Sequence, residues 1–467
     1  MMSFIEKFLP IIPEILVALT SIICLIVGLY KDIAKAIWWI AGSLLIVIFC
    51  IMILFYSALL STNIELGGIF NTHLGLWQKL TLIIFSLLLL IFHGGMGRVK
   101  FWRHGHHEYI SLLLISLAAS MIAIAARDFL ILYASLELMS LVGYIFACYD
   151  REYNFSTESG IKYLVLGSFV SSIMAFGLSY IYGFGGSLLF SDINTIIVNN
   201  SYSPALIIGI ALFASGILFK LSLAPFHLWT QDAYQGAPLI SVAYFASMPK
   251  FTALIVFINL LEFILPNLKP QLQHSLMFLG IITMLIGSIG AIVQTSLKRL
   301  IGYSAILNSG FILLAVSLAS DEGYGAAVLY QIIYSFSVIG LVAALAITSE
   351  PLSEDYAISH LAGFGTVKKI GAFAITIFAF SLAGLPPLAG FFGKYYIISA
   401  LVHAGHIKVG IIALLITVIA SCYYINIVKQ IYFCPPNMPQ IRIHESSSLA
   451  LLIAISLVFV LFFPFIA

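Results

Sequence analysis

Four ionisable residues lie deep in stretches that are otherwise apolar: Lys220, Lys250 and Lys394 among the bases, and Glu137 among the acids. At the centre of a bilayer each costs about 2.5–3.5 kcal/mol on insertion scales, so such groups turn toward protein or water and tend to serve a function. Each of the three lysines has a proline nearby, which interrupts the helix beside Lys220 and Lys394 and loosens it beside Lys250. Pro225 follows Lys220, Pro249 directly precedes Lys250, and Pro386–Pro387 lie ahead of Lys394. Burial without a counter-ion favours the neutral amine, so such a lysine can take up and release a proton. A single pair, Glu137 with Lys220, would fit a structural ion pair equally well. Three lysines against one glutamate favour a proton relay. His227, in the stretch FKLSLAPFHLWTQDAYQGAP (Phe219–Pro238), is the remaining titratable candidate, with a hydrogen bond to a carbonyl freed by Pro225 as an equal reading. Ser241, Tyr244, Ser247 and Lys250 recur every third residue, and Tyr330, Tyr334 and Ser337 share a second face; such stripes more often make helix contacts than channels.

The elements that must position these groups are membrane helices. The chain has 467 residues, 62% hydrophobic and 9% charged, with a mean hydropathy of +1.11. A soluble chain carries about 25% charged residues, so this is an all-α polytopic membrane protein. With about 20 apolar residues per crossing, about fourteen crossings are predicted. They fall at 13–30, 35–59, 78–97, 109–126, 128–149, 157–183, 203–231, 239–265, 273–296, 299–319, 325–349, 369–404, 408–433 and 447–466. Leu188–Tyr202 reads as a surface connection, partly helical. Residues 1–467 form a single transmembrane domain.

Basic residues set the orientation. Lys31, Lys35, Arg98, Lys100, Arg103, Arg151, Lys162, Lys298, Arg299, Lys368, Lys369, Lys429 and Arg442 share one side. Only Lys7, Lys79, Arg127, Lys269 and Lys408 fall on the other. This places both termini outside the cytoplasm. The stretch from Ile370 to Ala404 would make a straight helix of about 52 Å against a core of about 30 Å, so it breaks at its prolines and glycines. The crossing at 203–231 breaks at Pro225. Both broken crossings are fourth in a set of five, crossings 4–8 and 9–13. The pattern predicts inverted five-helix repeats with halves at 108–266 and 273–433, and a transport site between them.

Other chemistry has little support. Cys24, Cys50, Cys148, Cys422 and Cys434 sit in apolar surroundings without a C-x-x-C spacing, which argues against iron–sulfur, haem or zinc sites. Arg103–His107 (RHGHH) matches no helical ligand spacing and reads as a solvated loop. A net charge of +2 without a basic tract gives no nucleic-acid footprint. The apolar run after Lys7 lacks a small-residue cleavage site and reads as a retained first helix.

Several motifs carry a resemblance over essentially the whole chain. LELMSLVGY (Leu136–Tyr144), FKLSLAPFHLWTQDAYQGAP, SMPK (Ser247–Lys250), LKRLIGYSAI (Leu297–Ile306) and SLAGLPPLAGFFGKYY (Ser381–Tyr396) together resemble the antiporter-like membrane-arm subunits of bacterial NADH-quinone oxidoreductase, respiratory complex I, and among these subunit N. Lysine at 394, with no long lateral helix after the fourteenth crossing, favours the N type. The resemblance implies a fourteen-helix antiporter-like fold in the cell inner membrane. It also implies proton translocation by a non-redox subunit of the translocase. NADH, FMN, iron–sulfur clusters and quinone would reside in partner subunits, with no cofactor or metal in this chain. Glu137 and Lys220 match the family's pair, Lys250 its central lysine and Lys394 its terminal group. A subunit of a multi-subunit sodium/proton antiporter, which shares the fold, is the alternative. Two departures stand out. Gln231 replaces the usual proline of a W-T-P-D motif, and Asn308 occupies a position where related subunits often carry histidine.

Overall fold

Inside lipid every backbone N–H and C=O must find a partner within the protein, which leaves helices as the natural element for so apolar a chain. The computed structural model describes residues 11–30, 37–54, 68–96, 106–151, 153–199, 203–264, 269–348, 356–435 and 446–463. The first helices are α1 (Ile12–Gly28), α2 (Ile37–Leu54), α3 (His73–Met96), α4 (His106–Ala125), α5 (Phe129–Ala147) and α6 (Asn154–Gly185). Next come α7 (Phe190–Val198), α8 (Pro204–Lys220), α9 (Leu228–Gly236), α10 (Leu239–Ala246) and α11 (Met248–Phe263). The remaining long helices are α12 (Lys269–Ile292), α13 (Leu297–Val316), α14 (Asp321–Thr348), α15 (Lys369–Ala383), α16 (Ala389–His403), α17 (Ile407–Phe433) and α18 (Ser447–Phe462), with single turns at Ile358–Leu361 and Phe364–Val367 before α15. Among the described residues, ten helical segments are long and apolar enough to cross a membrane, and the shorter apolar helices α1, α8, α15 and α18 complete the expected fourteen crossings. Lys7, Lys31, Lys35, Arg98, Lys100, Arg103 and Arg442, used above for orientation, lie outside the described residues, as do the chain ends. His106 and His107 of the RHGHH stretch open α4.

The breaks follow from local chemistry. Crossing 7 divides into α8 and α9 around Pro225, and crossing 12 into α15 and α16 around Pro386–Pro387. Crossing 8, expected as one helix, also divides: Ser247 leaves helical geometry (φ −109°, ψ −89°) and α11 starts anew with Pro249 in its first turn. Pro249 has no N–H to give the Phe245 carbonyl, which is why the ladder parts there. The Leu188–Tyr202 connection contains α7, whose Phe190, Ile193 and Ile197 are buried on one face.

Packing repeats along the chain. α4 packs on α5 and α11, α5 on α6, α6 on α8 and α9, and α8 on α11. The same order recurs with α12 on α13 and α17, α13 on α14, α14 on α15 and α16, and α15 on α17. Two isolated bridges underline the inversion. Asp128 pairs with Leu189 at the start of α5, and Ser296 pairs with Ala357 at the start of α13. An odd number of crossings separates them, so they close opposite ends of the bundle. α9 packs on α13 and α10 on α14, joining the two sets.

One expectation is corrected. Lys79, placed at a helix end by the sequence, is fully buried in the second turn of α3, and Glu14 in the first turn of α1 is 2% exposed beside it. Glu137 is therefore not the one deep acid. α1 and α3 both pack against α4 and enclose this level of the bundle, so a charge near a helix end faces protein instead of the membrane surface.

Candidate functional site

Lys220 is the last residue of α8, a helix opened by Ser203, whose Oγ accepts from Leu206 N (3.3 Å), and by Pro204. At its end several freed backbone groups find partners. Leu218 O accepts from Leu223 N (3.0 Å), Phe219 O from the Trp229 indole (2.9 Å), and Ala224 N donates to Thr283 Oγ1 of α12 (3.0 Å). Trp229 stacks on Tyr163 at 4.3 Å and on Phe219 at 5.4 Å, which holds the break closed. The Lys220 ammonium reaches α5, donating to Leu136 O (3.2 Å) and to Ser140 Oγ.

Glu137 lies between those two residues in sequence, yet no ion pair joins it to Lys220. Leu136 and Ser140 are four apart and share a face, whereas Glu137 is rotated about 100° from Leu136. Its Oε2 accepts from Ser171 Oγ of α6 at 2.6 Å. The direct pairing expected from the sequence is thus replaced by proximity: cation and carboxylate occupy one turn of α5, each held by neutral partners.

Lys250, 1% exposed in the first turn of α11, donates to Ala305 O (3.1 Å) and Ser309 Oγ (2.9 Å), both on α13. Beside Ser309 sits Asn308, 1% exposed, with Nδ2 on Ser304 O (2.7 Å) and Oδ1 accepting from Tyr330 OH of α14. The Tyr330 ring lies against Gly393, where a Cβ would come within 2.6 Å of it. Lys394 is the next residue. Its ammonium turns back onto the last carbonyls of α15, Leu382 O (3.0 Å) and Ala383 O (2.9 Å). Gly384 caps α15 at φ +86°, and a Cβ there would lie 2.8 Å from Lys394 Cδ, so glycine meets both a conformational and a steric demand. Ser309, Asn308 and Tyr330 thus lie between Lys250 and Lys394 as two separate hydrogen-bonded pairs, Lys250 with Ser309 and Tyr330 with Asn308. Among the described residues no hydrogen bond leads from Lys220 toward Lys250, whose helices α8 and α11 pack directly.

His227 stands apart from this row. It is half-buried beside the exposed Pro225 and Leu228, and its Nδ1 has no hydrogen-bond partner among the described residues. Of the polar stripes, Tyr244 bonds Ser116 of α4 (2.5 Å) and Ser337 bonds Ser381 (3.0 Å), while Ser247 bonds its own helix. They are chiefly helix contacts. The sequence reading missed Ser140, Ser171, Ser309 and Gln331. Gln331, 2% exposed, donates to Ala246 O at the α10–α11 break (3.2 Å); a glutamine inside an apolar crossing was the available signal. A charged cavity of about 190 Å³ lies where α6, α9 and α13 meet, with Asp232 3.8 Å from Lys162 and 3.7 Å from Arg299.

Residues 126–420 match the transmembrane family described as NADH:quinone oxidoreductase/Mrp antiporter. NADH-quinone oxidoreductase subunit N of Rickettsia typhi is 36% identical over 90% of this chain and 92% of its own length. The chain belongs to the subunit N family. Subunit N of Rhodospirillum rubrum is similarly related, 33% identical over 97% of this chain and 93% of its own. Among solved structures, a chain of respiratory complex I from Thermus thermophilus superposes with a TM-score of 0.79 at 22% identity, covering 97% of this chain and 96% of that one. A chain of the Mrp complex from Dietzia sp. gives 0.83 at 17% identity, covering 99% and 95%. These likenesses show the antiporter-like fold. The region typical of subunit N and its antiporter relatives includes Glu137, Lys220, His227, Lys250 and Lys394, whereas Glu14 and Lys79 precede it.

Proposed function

We propose that this chain is a proton-translocating, non-redox membrane subunit of an NADH:quinone oxidoreductase, seated among the other membrane-arm subunits of respiratory complex I. The seating of the three lysines carries this reading: each ammonium is buried on neutral oxygens alone. Releasing a proton from such a lysine strands no buried carboxylate, the event that makes a broken internal ion pair so costly.

Glu137 supplies the control. Its negative charge, close to but not paired with Lys220, stabilises the protonated lysine. A cation brought to Glu137 offsets that charge, and the Lys220 proton passes to Lys250. From there Ser309, Asn308 and Tyr330, with water, lead to Lys394. Moving one proton against 100 mV requires about 2.3 kcal/mol. Two charges about 4 Å apart at an effective dielectric of about 20 interact by about 4 kcal/mol, so making and breaking one such contact is sufficient. NADH, flavin, iron–sulfur clusters and quinone belong to partner subunits, which supply the energy. The halves 108–266 and 273–433 act as the two inverted units, and the basic-residue bias puts both termini on the periplasmic side of the inner membrane. His227 would serve at the edge of the row, exchanging protons with the surface near Pro225.

The test is Lys220→Ala in the assembled complex in vesicles. Protons moved per NADH oxidised should fall by about twofold or more; unaltered pumping would overturn the relay. A second reading, a subunit of a sodium/proton antiporter, draws on the fold shared with the Mrp complex. Sodium-dependent proton exchange without response to NADH would favour it.

A further inference from the structure

The first three crossings take no part in the relay above, yet they bury a complete acid–base pair. Lys79 Nζ lies 2.5 Å from Glu14 Oε1 and 2.5 Å from Asn71 Oδ1, with the two side chains 0% and 2% exposed. Glu14 Oε2 is buried and meets no hydrogen-bond donor among the described residues. The surrounding positions of α3, Leu76, Leu80, Leu82 and Ile83, are buried and apolar. Two ions in such a place pay both desolvation costs, and an apolar pair of similar volume would hold the helices at least as well. Stability alone does not account for the choice.

Position supplies the rest. Both residues sit in the early turns of their helices, next to the segment 68–72. That segment is tied to the turn before α5 by the bridge of Ile69 with Ala126 and by Arg127 N donating to Gly68 O (2.6 Å). The basic-residue bias makes this the outer end of the bundle. Six residues further along α3, about 9 Å deeper, the buried Phe85 ring meets Phe251 at 5.7 Å and Phe336 at 6.0 Å. Phe251 follows Lys250, and Phe336 precedes Ser337, which bonds Ser381 at the Lys394 break. One helix thus carries an aromatic barrier at the level of the relay and an ion pair on its outer side.

We propose that Glu14 and Lys79, with Asn71, form an outer proton-release station for the relay, gated by the Phe85–Phe251–Phe336 cluster. This rests on the relay reading. Lys250 is then a branch point: a proton that does not continue to Lys394 crosses the barrier on transient water and protonates the Glu14 carboxylate. The pair then carries a net positive charge, and the Lys79 ammonium gives its proton past Asn71 to the outer water. Transfer from the Glu14 carboxyl to the Lys79 amine restores the starting pair. One proton enters and one leaves. Hydrophobic constrictions of this kind conduct only while wetted, which prevents back-flow.

The test uses the whole complex in vesicles, with protons moved per NADH oxidised as the readout for Glu14→Gln, Glu14→Asp and Lys250→Ala. The station predicts a fall of about twofold or more for Glu14→Gln and recovery in Glu14→Asp, which restores the carboxylate. Wild-type pumping by Glu14→Gln overturns it. Equal loss in Gln and Asp variants, tracking a lower thermal unfolding temperature, also overturns it in favour of a structural pin. If Glu14→Gln does not assemble, the double variant Glu14→Gln/Lys79→Gln keeps a neutral hydrogen-bonded pair, and normal pumping by that complex overturns the station. Lys250→Ala separates the two readings. Loss there with normal pumping in Glu14→Gln removes the station alone, while normal pumping in both removes the relay and the station together.

Discussion

Two of the three broken crossings, 7 and 12, seat their lysines in opposite senses. Lys220 precedes its break and reaches sideways to another helix, α5, where Glu137 lies within one turn. Lys394 follows its break and folds back on the terminal carbonyls of its own crossing. A helix C-terminus carries a fixed partial negative charge, so the second site has a constant electrostatic floor. The first depends on a carboxylate whose own partners can change. In the proposed relay, the same pattern of lysine, proline and fourth position in a five-helix set would therefore give one adjustable site and one fixed end point.

The sharpest way to break this contrast is Glu137→Gln. It removes the carboxylate from the adjustable site and should slow NADH-driven vesicle acidification by about 100-fold, the scale of one lost acid–base group. An unaffected rate would make the two breaks equivalent. Ser140→Ala tests the seat of Lys220 more gently. Loss of a hydrogen bond to a charged group is expected to cost about 1.5–3 kcal/mol, read from chemical unfolding of the purified subunit in detergent, with no counterpart at Lys394, which uses backbone carbonyls only. The smallest effects lie in the turns. Gly384→Ala meets both a positive φ and the Lys394 side chain and should cost about 1–3 kcal/mol. Ser222→Gly, at φ +62° in the other break, should be neutral or gain about 1 kcal/mol. Opposite signs in unfolding temperature would support two differently built turns.

The sequence discloses the crossings and the breaks because hydropathy and proline act locally. It is silent where the answer depends on which face a residue turns to a neighbour. Glu137 is one position round the helix from Leu136, and that rotation sends it to Ser171 and not to Lys220. Lys79 resembles a membrane-surface lysine until α1 brings Glu14 to it. The extra break at Ser247 was foreshadowed by Pro249, whose effect on the preceding turn is visible in sequence, but the glutamine that uses the Ala246 carbonyl comes from another crossing.

The amide at position 308 has a further consequence. Ser304 O can only accept, so the Asn308 nitrogen must face it, and the oxygen is left for the Tyr330 hydroxyl. Unlike an imidazole, an amide does not exchange its donor and acceptor ends by losing a proton on one side and gaining it on the other. The Tyr330–Asn308 hydrogen bond therefore has a built-in arrow, with the phenol proton aimed toward α13, against the direction in which the proposed relay runs from Lys250 to Lys394. In the proposed relay, a proton bound for Lys394 would therefore have to wait for the Tyr330 hydroxyl to turn away from position 308, a step with its own rate.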